Sequence, residues 1–328
     1  ITGLETGKVK GDTAYITDSI RSRGIGCILA LKKEAITLEF KRFLQRQQVV
    51  YSKYNSKAGS VFSNENIILP YPITYTNDNL PKSMVLIKGS SHSATIRFTQ
   101  RECGFYPAPG ENYASLPERQ LFEEITRKTS VVLNDYAIDE TPVTNQQYYD
   151  FIQATRYLPI NDDHFLNHWL NGKPPKGKED HPVVYINIDD ARAYAKWAGK
   201  RLPTEAEWQY AAEGPLHNIF NEDYCNNGQY NGTTSVKQFE KGRSVFGCYD
   251  MCGNTWEWTE SERCDQLNRY CIIKGGSYYQ AIGSHWYTDG KAQRNDFSAK
   301  FILMNPGLDR CATVGFRCAV NIKKNKTS

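Results

Sequence analysis

The chain has 328 residues, 40% hydrophobic and 12% aromatic, with 40 Lys and Arg against 36 Asp and Glu and a formal net charge of +4. That length suits one large domain with an appendage, or two modest domains. With no basic block beyond the short tail KKNK at 323–326, and no run of about 18 apolar residues, neither nucleic-acid binding nor a membrane-spanning helix is expected.

Residues 1–32 alternate apolar and polar side chains in short runs (DTAYITDSI, GIGCILAL), the pattern of strands. Between 34 and 54, Ile36, Leu38, Phe40, Phe43 and Leu44 give a helix-like spacing, so 1–54 reads as a small strand-and-helix unit. The chain begins at Ile1, which reads as a processed or truncated start. Residues 55–81 are rich in Asn, Ser and Pro and read as a linker. A larger unit follows over 82–322, ahead of the basic tail 323–328. In it, Thr144 caps a predicted helix carrying Tyr148, Phe151 and Ile152. The run HPVVYINIDDARAYAKWAGKRLPTEAEW predicts a strand over Val183–Ile188 and a helix over Asp189–Gly199 that Gly199 closes. A second helix is predicted after Pro203, with Thr204 as N-cap and Glu207 completing a capping box. Beyond residue 214, Gly, Asn and aromatics dominate and little regular structure is expected.

One stretch there, GCYDMCGNTWEWTES (247–261), sets Trp256 and Trp258 alternating about Glu257, as in a short strand. A carboxylate between buried aromatics needs a compensating partner: a cation, backbone N–H groups or an arginine. Nine cysteines include three close pairs, Cys248/Cys252, Cys264/Cys271 and Cys311/Cys318, without the spacing of a zinc site. Disulfides are therefore expected, in a secreted or periplasmic setting.

The stretches MVLIKG, DETPVTNQQYYDFI, HPVVYINIDDARAYAKWAGKRLPTEAEWQYAAEG, GCYDMCGNTWEW, IIKGGSYY and VGFRCA resemble, in order, the formylglycine-generating enzyme (sulfatase-modifying factor) family. The resemblance implies an α+β, loop-rich, elaborated C-type-lectin-like domain, here with a small N-terminal β/helical extension. It also implies a structural calcium ion held by the Asp250 and Glu257 carboxylates and by the carbonyls of Gly253 and Thr255. A second calcium loop in the family matches CNNGQYNGTTSV at Asn226 and Asn227, with its acidic segment shortened.

Family oxidases carry two copper-binding, nucleophilic cysteines just after the Gly-Gly-Ser turn. Here the first position falls on Gln280 and the second on His285 or Trp286, so copper and formylglycine generation are not expected. Cys318 matches a structural cysteine of the family whose partner position is Ala195, which leaves Cys318 to pair with Cys311 or to stay a buried thiol. His164 and His168 approach the histidine spacing of the related iron enzymes but lack their glutamate. The substrate cleft of the family corresponds to Tyr278, Tyr279, Gln280, His285, Trp286, Tyr287 and Arg294. Its aromatic faces and fixed donors suit a sugar or a peptide, and they suit a tyrosine-paved core equally.

The leading expectation is a non-catalytic module that presents this cleft to a carbohydrate or protein partner. The segment RSRGIGCILAL resembles the closing edge of a glycoside hydrolase β-domain, which makes the module an accessory of such an enzyme. A second expectation is an oxidoreductase or other enzyme of the superfamily with an altered site, using His285 as base and Arg294 as anion clamp. A third is a variable ligand-binding protein of the retroelement type, varied over the stretch corresponding to Ser277–Arg317.

Overall fold

The computed structural model describes residues 8–10, 13–15, most of 36–45, 74–75, 79–99, 124–214, 222–264, 269–280, 290–303 and 309–323. The chain divides into two compact units, Ile1–Ser63 and Asn64–Ser328. In the first, β1 (Lys8–Lys10) and β2 (Thr13–Tyr15) pair antiparallel. The described residues between 38 and 45 are helical, as the spacing predicted.

The second unit contains two four-stranded sheets. In one, the order is β10 (Ala299–Ile302), β9 (Arg269–Lys274), β8 (Trp256–Cys264), β11 (Val314–Phe316). β8 and β11 run parallel, with Glu257 opposite Gly315. In the other, the order is β3 (Thr74–Tyr75), β12 (Ala319–Ile322), β7 (Tyr136–Asp139), β4 (Met84–Ile87). β5 (Ser91–Thr99) and β6 (Glu124–Val132) form a separate antiparallel pair. β11 and β12 are separated only by Arg317 and Cys318, so the chain steps from one sheet to the other at that arginine.

Three helices are held at their N-termini by reciprocal side-chain and backbone bonds, which satisfy amides that a helix start leaves without intrahelical partners. α1 (Asn145–Thr155) starts from a Thr144/Gln147 box, α2 (Ile188–Trp197) from Asn187/Asp190, and α3 (Glu205–Glu213) from Thr204/Glu207. The α1 aromatics Tyr148 and Phe151 pack with Tyr194 of α2 and with Phe316, in a core that also takes in Trp256 and Trp258. Among the described residues, no helix is long and apolar enough to cross a membrane.

Two expectations are corrected. Val183–Ile188 is not a strand. Val183 N–H bonds to Val143 O and Tyr185 N–H to Cys311 O, two unrelated segments, and Tyr185 adopts a left-handed φ of 56° that breaks any ladder. The apolar run there is a buried connection, and the helix after it begins at Ile188. The stretch beyond residue 214 is also more regular than composition suggests, since it holds β8 to β12. These strands show no alternation because both faces are covered: Cys271, Ile272 and Ile273 are all buried.

Candidate functional site

Glu257 and Arg317 are both fully buried. Arg317 donates from Nε to Glu257 Oε2 and from Nη2 to Oε1, each at 2.7 Å, a bidentate pair. Trp208 Nε1 donates to the same Oε2 at 2.8 Å, and Arg317 Nη2 also reaches the Tyr249 carbonyl at 2.7 Å. Burial opposes the arginine's charge, but Glu257 more than offsets it and raises the Arg317 pKa above its ordinary value. Of the partners open to Glu257, the protein uses the arginine. The side chain that looks out of place in the sequence is the centre of a closed interior network.

Arg317 and Trp208 together take three acceptor directions of the Glu257 carboxylate, two on Oε2 and one on Oε1, so Oε1 keeps further acceptor capacity. Asp250 is buried and accepts from Asn254 Nδ2 at 2.9 Å; desolvation pushes its carboxyl up to about 7, against the pull of that hydrogen bond and of Arg317. Thr255 keeps a buried hydroxyl with no hydrogen-bond partner. Gly253 sits at φ 72°, where a Cβ would meet Asn226 O at 2.5 Å, so the turn requires glycine. Among the described residues, no three His, Cys, Asp or Glu side chains gather as a metal site.

The amide side chains near this turn clasp loops. Fully buried Asn254 accepts from Thr234 N at 2.9 Å and donates to Asp250, its N–H bonds to Asn226 O at 2.9 Å, and its carbonyl accepts from Tyr278 N at 3.1 Å. Asn226 Nδ2 donates to Gly232 O at 2.9 Å, and Asn227 Oδ1 accepts from Ala292 N at 3.2 Å. Asn226 and Asn227, expected at a second calcium loop, thus tie that loop to itself and to the segment after Gly290.

Between the two clasped segments lies an open pocket of about 460 Å³. One wall is Asn227–Asn231, and the other is Tyr278, Tyr279, Gln280 and Lys291. Tyr230 and Tyr279 are exposed, at 43% and 56%, so their rings are offered to solvent instead of to the core. Tyr278 is half-buried and donates to Ala312 O at 3.3 Å; burial raises its pKa, with Tyr185 and Cys311 adding to the effect. At the base, Ser277 N and Oγ both bond to Gly290 O, at 2.9 and 2.8 Å. A Cβ on Gly276 would meet Lys291 O at 2.2 Å.

Tyr278, Tyr279 and Gln280 of the expected cleft therefore stand together, with Asn227 opposite. His285, Trp286 and Tyr287 lie outside the described residues. Arg294 does not line the pocket: its guanidinium bonds to both Asp296 oxygens, at 3.1 and 3.2 Å, a hydrogen-bonded pairing that raises its pKa, so the anion it clamps is the protein's own. Gln229, Tyr230 and Lys291 were missed. Their signal was the tyrosine set among amides in NNGQYN, read only as a calcium loop.

The near-in-sequence cysteine pairs are not disulfides. Cys248, Cys271, Cys311 and Cys318 are thiols, and the side chain of Cys264 lies outside the described residues. Cys252 lies 3.6 Å from Cys225, not against Cys248. Burial pushes the Cys248 thiol up to about 11 and that of Cys271 to about 12. His164 and His168 stand on a turn, not on one helix face; His168 Nε2 is 3.0 Å from Asn145 Oδ1 and its ring stacks on Tyr185.

The sulfatase-modifying factor enzyme 1-like domain matches residues 76–322. The chain belongs to this family. It is 30% identical over 315 residues to a formylglycine-generating enzyme of Thermomonospora curvata, covering 74% of this chain and 94% of that one. It is also 29% identical over 246 residues to an inactive C-alpha-formylglycine-generating enzyme 2 of Bos taurus, covering 58% and 78%. The solved structure of CarF superposes with a TM-score of 0.50 at 19% identity, over 74% of this chain and 100% of that one, a likeness of fold alone. Within this sulfatase-modifying-factor-like domain, the GGSYYQ segment that resembles the family's cysteine-bearing stretch forms one wall of the pocket, with Gln280 in its lining.

Proposed function

We propose that this sulfatase-modifying-factor-like domain is a non-catalytic binding module whose pocket takes a neutral carbohydrate. The observation that carries this reading is the pocket itself: exposed Tyr230 and Tyr279 rings stand beside the amides of Asn227, Asn231 and Gln280, with the Gln229 amide bonded to Asn227 N and Cys225 O. Aromatic faces stack on the apolar face of a sugar ring, and amides donate to and accept from its hydroxyls. Among the described residues of the lining, Lys291 is the one charged side chain, and no carboxylate joins it. That the relatives include both an enzyme and a protein called inactive fits a scaffold that outlives its chemistry.

The test is calorimetric titration of the full chain with a panel of neutral oligosaccharides, with Tyr279→Ala alongside. Saturable binding, weakened about tenfold by the substitution while the melting temperature holds, is the expected result. Conversion of a cysteine-containing sulfatase peptide to its aldehyde by the same preparation would sink the reading in favour of the oxidoreductase.

A further inference from the structure

Cys225 and Cys252 are 27 residues apart in sequence, yet their sulfurs are 3.6 Å apart. Cys225 is 3% exposed and Cys252 is half-buried, so Cys252 is the more accessible residue of the two. The backbones beside them are already in contact. Asn254 N–H bonds to Asn226 O at 2.9 Å, and a Cβ on Gly253 would lie 3.2 Å from the Cys225 sulfur. A disulfide needs a sulfur separation of about 2.05 Å, so closing the bond must shorten the present 3.6 Å gap. Cys271 and Cys318, by contrast, are fully buried among core residues.

We propose that Cys225 and Cys252 are a reversible dithiol–disulfide pair that fastens the amide-bearing wall of the pocket to the turn at Gly253. The oxidant is a low-molecular-weight disulfide, RSSR. The Cys252 thiolate attacks one sulfur of RSSR, forming a mixed disulfide and releasing RS⁻. The Cys225 thiolate then attacks the Cys252 sulfur, closing the S–S bond and expelling the second RS⁻. The protein loses two protons and two electrons, and RSSR becomes two RSH. A reducing dithiol reverses both steps.

The consequence follows from what hangs on Cys225. Its carbonyl accepts from Gln229 Nε2 at 2.7 Å, and Asn227, two residues on, begins the wall. Closing the bond fixes that end of the loop and restricts how far Gln229 and Tyr230 can withdraw. The bond itself is independent of any ligand; only its effect on affinity rests on the carbohydrate reading above.

The test uses the full chain equilibrated across oxidised and reduced glutathione mixtures. Remaining thiols are then blocked with N-ethylmaleimide, and the protein is digested without reductant and mapped by mass spectrometry. The expected result is a cross-linked peptide joining Cys225 to Cys252 that disappears on reduction, and accumulation of glutathione on Cys252 in Cys225→Ser. Limited proteolysis within 226–234 should slow by roughly tenfold in the oxidised protein. Both thiols blocked by maleimide at every potential, or Cys225 joined to a different cysteine, would overturn the pairing. The bond without any change in proteolysis would overturn the fastening. Absence of oligosaccharide binding in either redox state would count against the carbohydrate reading and leave this result standing.

Discussion

The ion pair and the pocket stand on the two sides of the turn at 250–255, and they solve opposite problems. Around Glu257, each charge is matched: two oxygens face two guanidinium nitrogens, a tryptophan N–H fills a further acceptor direction, and backbone carbonyls of Asp139 and Tyr249 take donors that remain on Arg317. Around Tyr279, the Gln229 amide and the Asn227 oxygen hold the loop to itself and to Ala292, while the rings of Tyr230 and Tyr279 face solvent. Buried charges are stable only when fully partnered, whereas a binding surface must keep some of its capacity unspent. One turn serves both, because Asn254 spends its own groups on loop ends while Glu257, three residues on, faces the interior.

The largest effect should come from breaking the closed side. Arg317→Ala strands Glu257 in the interior and is expected to cost about 3–5 kcal/mol in urea unfolding. A loss under about 1 kcal/mol would mean that water or an ion replaces the arginine. Trp208→Phe keeps an aromatic ring but removes one donor to a carboxylate and part of the buried indole's volume, and should cost at least about 1.5–3 kcal/mol.

Next comes a pH effect at His168, whose pKa burial lowers to about 4, with Lys178 contributing. The unfolded chain binds its proton near the ordinary value of about 6.5, so between those limits the unfolded state holds more protons. Stability should therefore fall as pH drops from about 6.5 to 4, by up to about 1.4 kcal/mol per unit, and His168→Gln should flatten that slope. An unchanged slope in the variant would assign the acid sensitivity elsewhere.

A smaller effect is expected from chelation. With Arg317 at Glu257, treatment with a chelator should move the melting temperature by less than the Trp208 substitution does. Tightly held calcium found by metal analysis, and lost in Asp250→Ala, would instead restore an ion to this turn. Smallest of all, Tyr279→Ala should change stability by no more than about 0.5 kcal/mol, since the ring is exposed. A larger loss would show that the ring props up the fold instead of waiting for a ligand.

Local chemistry was the most legible part of the sequence. Thr204 and Glu207 are three residues apart, so their capping box can be read directly, and Thr144 announces α1 in the same way. The tension at Trp-Glu-Trp was also legible, because a carboxylate between aromatics violates a local expectation whatever the fold. Its resolution was not. Arg317 lies 60 residues away and reaches Glu257 because β11 runs parallel to β8 and the chain changes sheets just after it. The same limit hid the pocket's second wall and the Cys225–Cys252 approach, both of which depend on how distant loops are tied. Family resemblance found the stretch Tyr278–Gln280 and singled out Glu257, but it gave no sign that Arg317 would pair with that carboxylate.

The clasp at Ser277 and Gly290 has a consequence for how this molecule can change. The chain leaves the sheet just past Lys274 and comes back within hydrogen-bonding distance of its point of departure, at Gly290 and Gln293. Those two points form one anchor beside the end of β9. Gly276 is what lets the two passes touch, so any larger residue there would have to force them apart.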